Sequence, residues 1–378
     1  MWFSERVRVR GRLRLSWAFV AALAFLPGTP STSAEAADVD PAALLPVTSC
    51  PAGSNLVMPV SSSIDADGWT LVNYVSDGIQ STVEFPPVGF DTAQASDAML
   101  ARHGLPVRPQ SAPDLAQWTA RMGNLQWARS QGDCVSHQFS FGTKEPHKFW
   151  GGDLYEQTSN YDFNGVQADI TQVSYLGGCP PADPMAAVGS WVGLGGYSTN
   201  APLIQTGTVA QSSGYSAWWE LIDLSGSTYT PLPQVTVRAG DVIWLYVNNV
   251  GADFWVLVDD ETNNTVVDTE VANPVLLVGS TAEFIDERPL LSDKKTYADL
   301  PEYSLPDKAP YTPDWYLWTY WSQMQVLRSN SSTWTGAYSE PDEIWLMMTK
   351  DGTLGGTELE YTSGSFSDNH MQDHWHHC

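Results

Sequence analysis

The chain has 378 residues, with 43 acidic against 18 basic side chains and a formal net charge of −25. Such a surface repels phosphate backbones and anionic lipid, which excludes nucleic acid and membranes as partners. Length alone predicts two or three structural units, and 17 Trp, 15 Tyr and 30 Gly suit an all-β protein with aromatic-lined surfaces.

Residues 1–36 read as a secretory signal peptide. Five arginines between Arg6 and Arg14 precede an apolar run from Leu15 to Leu26 and a small-residue stretch ending Ala34-Glu35-Ala36-Ala37, which is the order of such leaders. The apolar run is about a dozen residues, short of the roughly 20 that cross a bilayer, so a secreted, extracellular protein is expected. Its removal takes away five arginines and two glutamates, leaving 13 basic and 41 acidic residues and a net charge of −28. Cys50, Cys134, Cys179 and Cys378 are an even number in an oxidising compartment and predict two disulfides, with three pairings open.

Residues 37–150 read as an N-terminal extension or prosegment with two short helices. Pro, Ser and Ala dominate to about Ile64, Trp69 to Val75 has strand content, and Val83 to Phe90 reads as a turn because Pro86 and Pro87 interrupt it. Ser96 is placed to cap a helix over Asp97 to His103. A second, from Asp114 to about Trp127, sets Leu115, Trp118, Met122 and Leu125 on one face. The stretch can serve as a removable prosegment or as a small helical subdomain packed on the main one.

From residue 151 to 378 helical periodicity disappears. Short runs rich in Val, Ile, Trp, Tyr and Thr alternate with turn residues about every ten positions, as in a two-sheet antiparallel β-sandwich or jelly roll. Predicted strands include Leu203–Val209, Ser216–Leu221, Gln234–Arg238, Asp241–Asn248, Phe254–Asp259 and Ala282–Arg288. Pro289 to Pro313 reads as a long surface loop.

Five segments of this half carry chemistry, in order: SNYDFNG (Ser159 to Gly165), SWVGLGG (Ser190 to Gly196), LIQTG (Leu203 to Gly207), AWWE (Ala217 to Glu220) and AEFIDERP (Ala282 to Pro289). In a strand, residues two apart share a face, so Gln205 aligns with Leu203 and Gly207, and Glu287 with Glu283 and Ile285. The segments resemble the motifs of the glutamic peptidase (eqolisin) family, of the bacterial secreted type. The resemblance implies a concanavalin A-like sandwich with a peptide lying across its concave face. It implies Gln205 and Glu287 as the catalytic pair, with Trp191, Trp219, Glu220 and Glu283 as substrate-binding residues. It departs from the family at two positions: Val209 stands where an aspartate follows the catalytic glutamine by four, and Asp286 stands where an apolar residue precedes the catalytic glutamate.

The function expected is acid-acting endopeptidase cleavage of polypeptides by a monomer that needs no cofactor. The alternatives are a carbohydrate-binding or carbohydrate-active jelly roll using Glu220 and Glu287 as a carboxylate pair, and an inactive family member. No G-x-S-x-G elbow, P-loop or H-E-x-x-H motif competes. His370, His374, His376 and His377 crowd the C-terminal tail, but chain ends are often mobile and imidazoles protonate in acid, so no metal is assigned there.

Overall fold

The computed structural model describes residues 45–46, 54–76, 79–110, 112–128, 130–131, 133–136, 139–140, 146–156, 162–177, 185–197, 202–223, 226–273, 277, 279–291, 298–306, 318–340, 343–350, 358–362 and 369–375. All of these fall in one unit, residues 37–378. Cys50, Cys179 and Cys378 lie outside the described residues, as does the side chain of Cys134, so the predicted disulfides do too. Residues 1–36, the expected signal peptide, likewise lie outside them. Among the described residues no helix is long and apolar enough to cross a membrane.

Strands in chain order are β1 Ser54–Val57, β2 Ser61–Ile64, β3 Thr70–Ser76, β4 Ile79–Phe85, β5 Asp133–Ser136, β6 Trp150–Glu156, β7 Phe163–Thr171, β8 Ala187–Gly195, β9 Leu203–Gln211 and β10 Gly214–Asp223. Then follow β11 Gly226–Pro231, β12 Val242–Val250, β13 Asp253–Asp260, β14 Thr265–Ala272, β15 Thr281–Glu287, β16 Trp318–Arg328, β17 Glu343–Thr349, β18 Glu358–Thr362 and β19 Met371–Trp375. Two helices, α1 Asp97–Arg102 and α2 Ala112–Met122, precede β5. The pairings build a first sheet in the order β1-β5-β11-β10-β9-β8-β15-β6-β17. A second runs β2-β3-β4-β14-β13-β12-β7-β16-β19-β18-β17. Strand β17 joins them, since Glu343 to Leu346 pair with β6 and Met347 to Thr349 with β18. The antiparallel sandwich is therefore the fold that the alternating pattern predicts.

Alternation decides what lies between the sheets. Val192, Leu194, Ile204, Trp219, Leu221 and Phe284 from the first sheet pack with Val166, Ile170, Leu245, Val256, Val267 and Trp321 from the second. Phe284 meets Trp321 edge-on at 6.3 Å, a preferred aromatic geometry. The sequence VIWLYV of β12 is apolar on both faces because both are covered: Trp244 and Tyr246 turn outward against Leu100, Leu105, Trp118 and Met122 of the helical region. Tyr246 donates its O–H to the Gly104 carbonyl at 2.9 Å. The helices thus form a layer on the outer face of the second sheet, while β1 and β5 extend the first sheet and β2 to β4 the second.

Several local expectations are corrected. Ser96 caps α1 as predicted, accepting from Met99 N at 3.2 Å, but α2 stops at Met122, before Gly123, and Leu115 is exposed. Val83 to Phe85 close strand β4, and the turn begins only at the prolines. Gln234–Arg238 is not a strand; Val235 and Val237 insert into the core from a turn-rich segment. Met371–Trp375, read as a loose tail, pairs with both β16 and β18, while His376 and His377 lie outside the described residues.

The outer face of the second sheet also carries buried acids. Loss of water on burial pushes Asp259 and Glu270 up to about 7 and Asp268 well above the carboxylate range. A carboxyl whose folded pKa exceeds its unfolded value stabilises the fold below the unfolded pKa of about 4, and that contribution is lost as pH rises through the folded value. The melting temperature is therefore expected to fall by at least ~5 °C between about pH 4 and pH 7.5, followed by circular dichroism. A flat or rising profile would contradict it.

Candidate active site

The first sheet presents one face to the sandwich core and the other away from it, and strand register assigns residues to each. Gln205 of β9 lies opposite Gly193 of β8 on one side and Glu220 of β10 on the other. Gly193 in turn lies opposite Glu283 of β15. Two rows along, Glu287 lies opposite Gly189, which faces Val209. Trp191 occupies the row between, opposite Gly207 and Ile285. Directly opposed residues share a face, so Gln205, Glu220, Glu283, Trp191 and Glu287 all stand on the face turned away from the core.

Two glycines make this arrangement possible. An added Cβ at Gly193 would lie 2.8 Å from the Trp191 ring, and one at Gly207 2.6 Å from Trp191 Cβ. The indole is thereby free to lie along the face, where it meets Trp150 edge-on at 5.2 Å. Its Nε1 donates to Glu287 Oε2 at 2.9 Å and fixes the rotation of that carboxylate.

Gln205 is held in a similar way. Its Nε2 donates to Glu220 Oε2 at 3.1 Å, while its Oε1 has no hydrogen-bond partner. Gln205, Glu220, Glu283 and Glu287 are all fully buried, and the apolar surround comes from Trp150, Trp191, Leu203, Val209, Trp218 and Ile285. Burial pushes the Glu283 carboxyl well above its ordinary range. In a dry surround a fixed amide donor and a fixed carboxylate interact with a developing charge more strongly than in water.

Of the six residues predicted for the site, five meet on this face. Trp219 does not: it points the opposite way from Glu220 and packs in the core between the sheets with Ile204 and Leu221. Asp286 also points into the core, where the Ser190 and Thr319 hydroxyls donate to its two oxygens. Trp150 was missed by sequence reading, since it lies beyond the recognised segments and joins the site through its pairing with Glu287 and its ring contact with Trp191.

Residues 148–306 match the Peptidase A4 family. Among solved structures, the chain is similar to scytalido-glutamic peptidase with a transition state analog inhibitor, at 19% identity and a TM-score of 0.47, covering 61% of this chain and 98% of that one. It is also similar to SCP-B, a member of the eqolisin family in complex with the tripeptide Ala-Ile-His, at 19% identity and TM-score 0.44 over the same shares. Aspergilloglutamic peptidase from Aspergillus niger matches at 17% identity and TM-score 0.39, over 50% of this chain and 99% of that one. No curated protein sequence matches the chain.

Proposed function

We propose that the chain, whose residues 148–306 match the Peptidase A4 family, is a glutamic-type peptidase in which Gln205 and Glu287 form the catalytic pair, and that it acts as an endopeptidase in acid. What supports this reading is a common face on one sheet, with Glu220 orienting the amide and Trp191 the Glu287 carboxylate; Glu287 stands two rows along from Gln205, whereas Glu283 shares its row across Gly193, which makes Glu283 the second candidate for the catalytic carboxylate. In this mechanism the catalytic carboxylate, ionised, takes a proton from a water as that water attacks the scissile carbonyl. It then returns the proton to the leaving nitrogen. Gln205 accepts from the water through Oε1, and its amide N–H stabilises the oxyanion. A free glutamate titrates near ~4.3, so such a base is competent in mild acid, where an imidazole is protonated.

The same reading has Trp191, Glu220 and Glu283 shaping the substrate face and Trp219 supporting it from the core. It also has residues 1–36 directing export, and the stretch before the peptidase region forming part of a precursor. In support, Ser136 of β5 pairs with Tyr229 at one margin of the catalytic sheet, and Phe139 and Ser140 pair with Leu291 and Leu290 just beyond Glu287. Backbone on both sides of the catalytic face thus comes from this N-terminal stretch.

The test is hydrolysis of unfolded casein by the acid-incubated chain between about pH 2 and pH 7 with pepstatin present. Cleavage confined to the acid side is expected. Absence of cleavage at every pH, with glycan binding instead, would favour the carbohydrate reading.

A further inference from the structure

Near the edge where β17 joins the two sheets, three carboxyl groups converge in the interior. Asp286 comes from the core side of β15, Glu360 from β18 and Asp373 from β19; all three are fully buried, and one oxygen from each lies within 4.8 Å of the others. The Asp286 oxygens accept from Ser190 and Thr319, and Glu360 Oε2 accepts from the Tyr303 hydroxyl at 2.8 Å. The remaining acceptor marks the place: Glu360 Oε1, fully buried, has no hydrogen-bond partner. Glu360 leans over Gly151, where any Cβ would take the room its carboxylate uses. The ion pairs among the described residues, such as Arg288 with Asp299 and Arg328 with Glu340, do not reach this cluster.

Buried polar atoms are almost always satisfied, and buried charge is retained where it is paired or coordinates a metal. We propose that Asp286, Glu360 and Asp373 bind one calcium ion between the sheets. Oxygens at ~2.4 Å from such an ion stand at most ~4.8 Å apart across it, and the three carboxylate oxygens lie within that limit. An oxygen-only donor set suits calcium rather than zinc, and magnesium keeps several waters that a sealed interior does not supply. The ion would tie β15, whose next residue is Glu287, to β18 and β19 of the opposite sheet. The site is independent of the catalytic assignment, because it lies on the other face of β15.

The test uses the full chain stripped with EDTA at about pH 8, where protons compete less for the carboxylates, with calcium chloride as the sole addition. Equilibrium dialysis is expected to show a bound calcium ion per chain that Asp373→Asn and Glu360→Gln lose. The melting temperature should rise by about 5–10 °C at a hundredfold excess over Kd, with the rise abolished in both variants. No rise in the parent, or an equal rise in both variants, overturns the proposal, the second outcome assigning the effect to the acidic surface. Should Asp373→Asn not fold, Glu360→Gln and the dialysis of the parent decide.

Discussion

Glu287→Gln is expected to lower kcat on unfolded casein by ~10²–10⁴-fold, the usual range for loss of a positioned general acid–base group. The substitution keeps the size and the acceptor oxygen, so the amide can still accept from Trp191 Nε1, which now lies 2.9 Å from the carboxylate. What it removes is the capacity to take a proton. Melting temperature and KM should accordingly stay close to those of the parent while the acid-side activity disappears. A variant that keeps full activity would exclude Glu287 as the base, leave its buried carboxylate a structural partner of Trp191 and assign the proton transfer to Glu283, which shares the row of Gln205.

Gln205→Ala is expected to cost ~10²–10³-fold in kcat, the magnitude of one lost oxyanion donor. The residue is fully buried on the catalytic face, so truncation also opens a small cavity and withdraws a donor from Glu220. Some loss of stability will accompany the loss of rate, and Gln205→Asn separates the two. It retains an amide in the interior but draws it back by one methylene, so the fold is preserved while the donor misses the oxyanion. Recovery of parental kcat in Gln205→Asn or Gln205→Ala would assign the residue to packing alone.

Much of this site was legible before folding was considered. Period-two alternation puts Gln205 in line with Gly207, and Glu287 in line with Glu283, and the register keeps all of them on one face. The same rule decides Trp219, which adjoins Glu220 in one strand and must point the other way; motif likeness placed both in the cleft, and the pleat allows only one. Gln234–Arg238 shows the converse. Its alternating apolar residues do mark buried positions, and Val235 and Val237 are in the core, but burial of every second side chain does not supply a neighbouring strand to pair with.

Asp286 was legible only as an anomaly, a carboxylate where an apolar residue suits the core. Its setting depends on Ser190 from the adjacent strand and on Thr319, Glu360 and Asp373 from the opposite part of the chain. Spacing along the sequence carries no signal for such a meeting.

The local alphabet of the chain therefore determined most of the strands and the faces on which Gln205, Glu283 and Glu287 stand, because side-chain direction in a strand is fixed by parity alone. Tertiary structure decided which face turns away from the core, what orients Gln205 and Glu287, and where the acids of the interior converge. Those outcomes depend on the order in which strands pair and on how two sheets stack, and both are set by contacts between residues far apart in the chain.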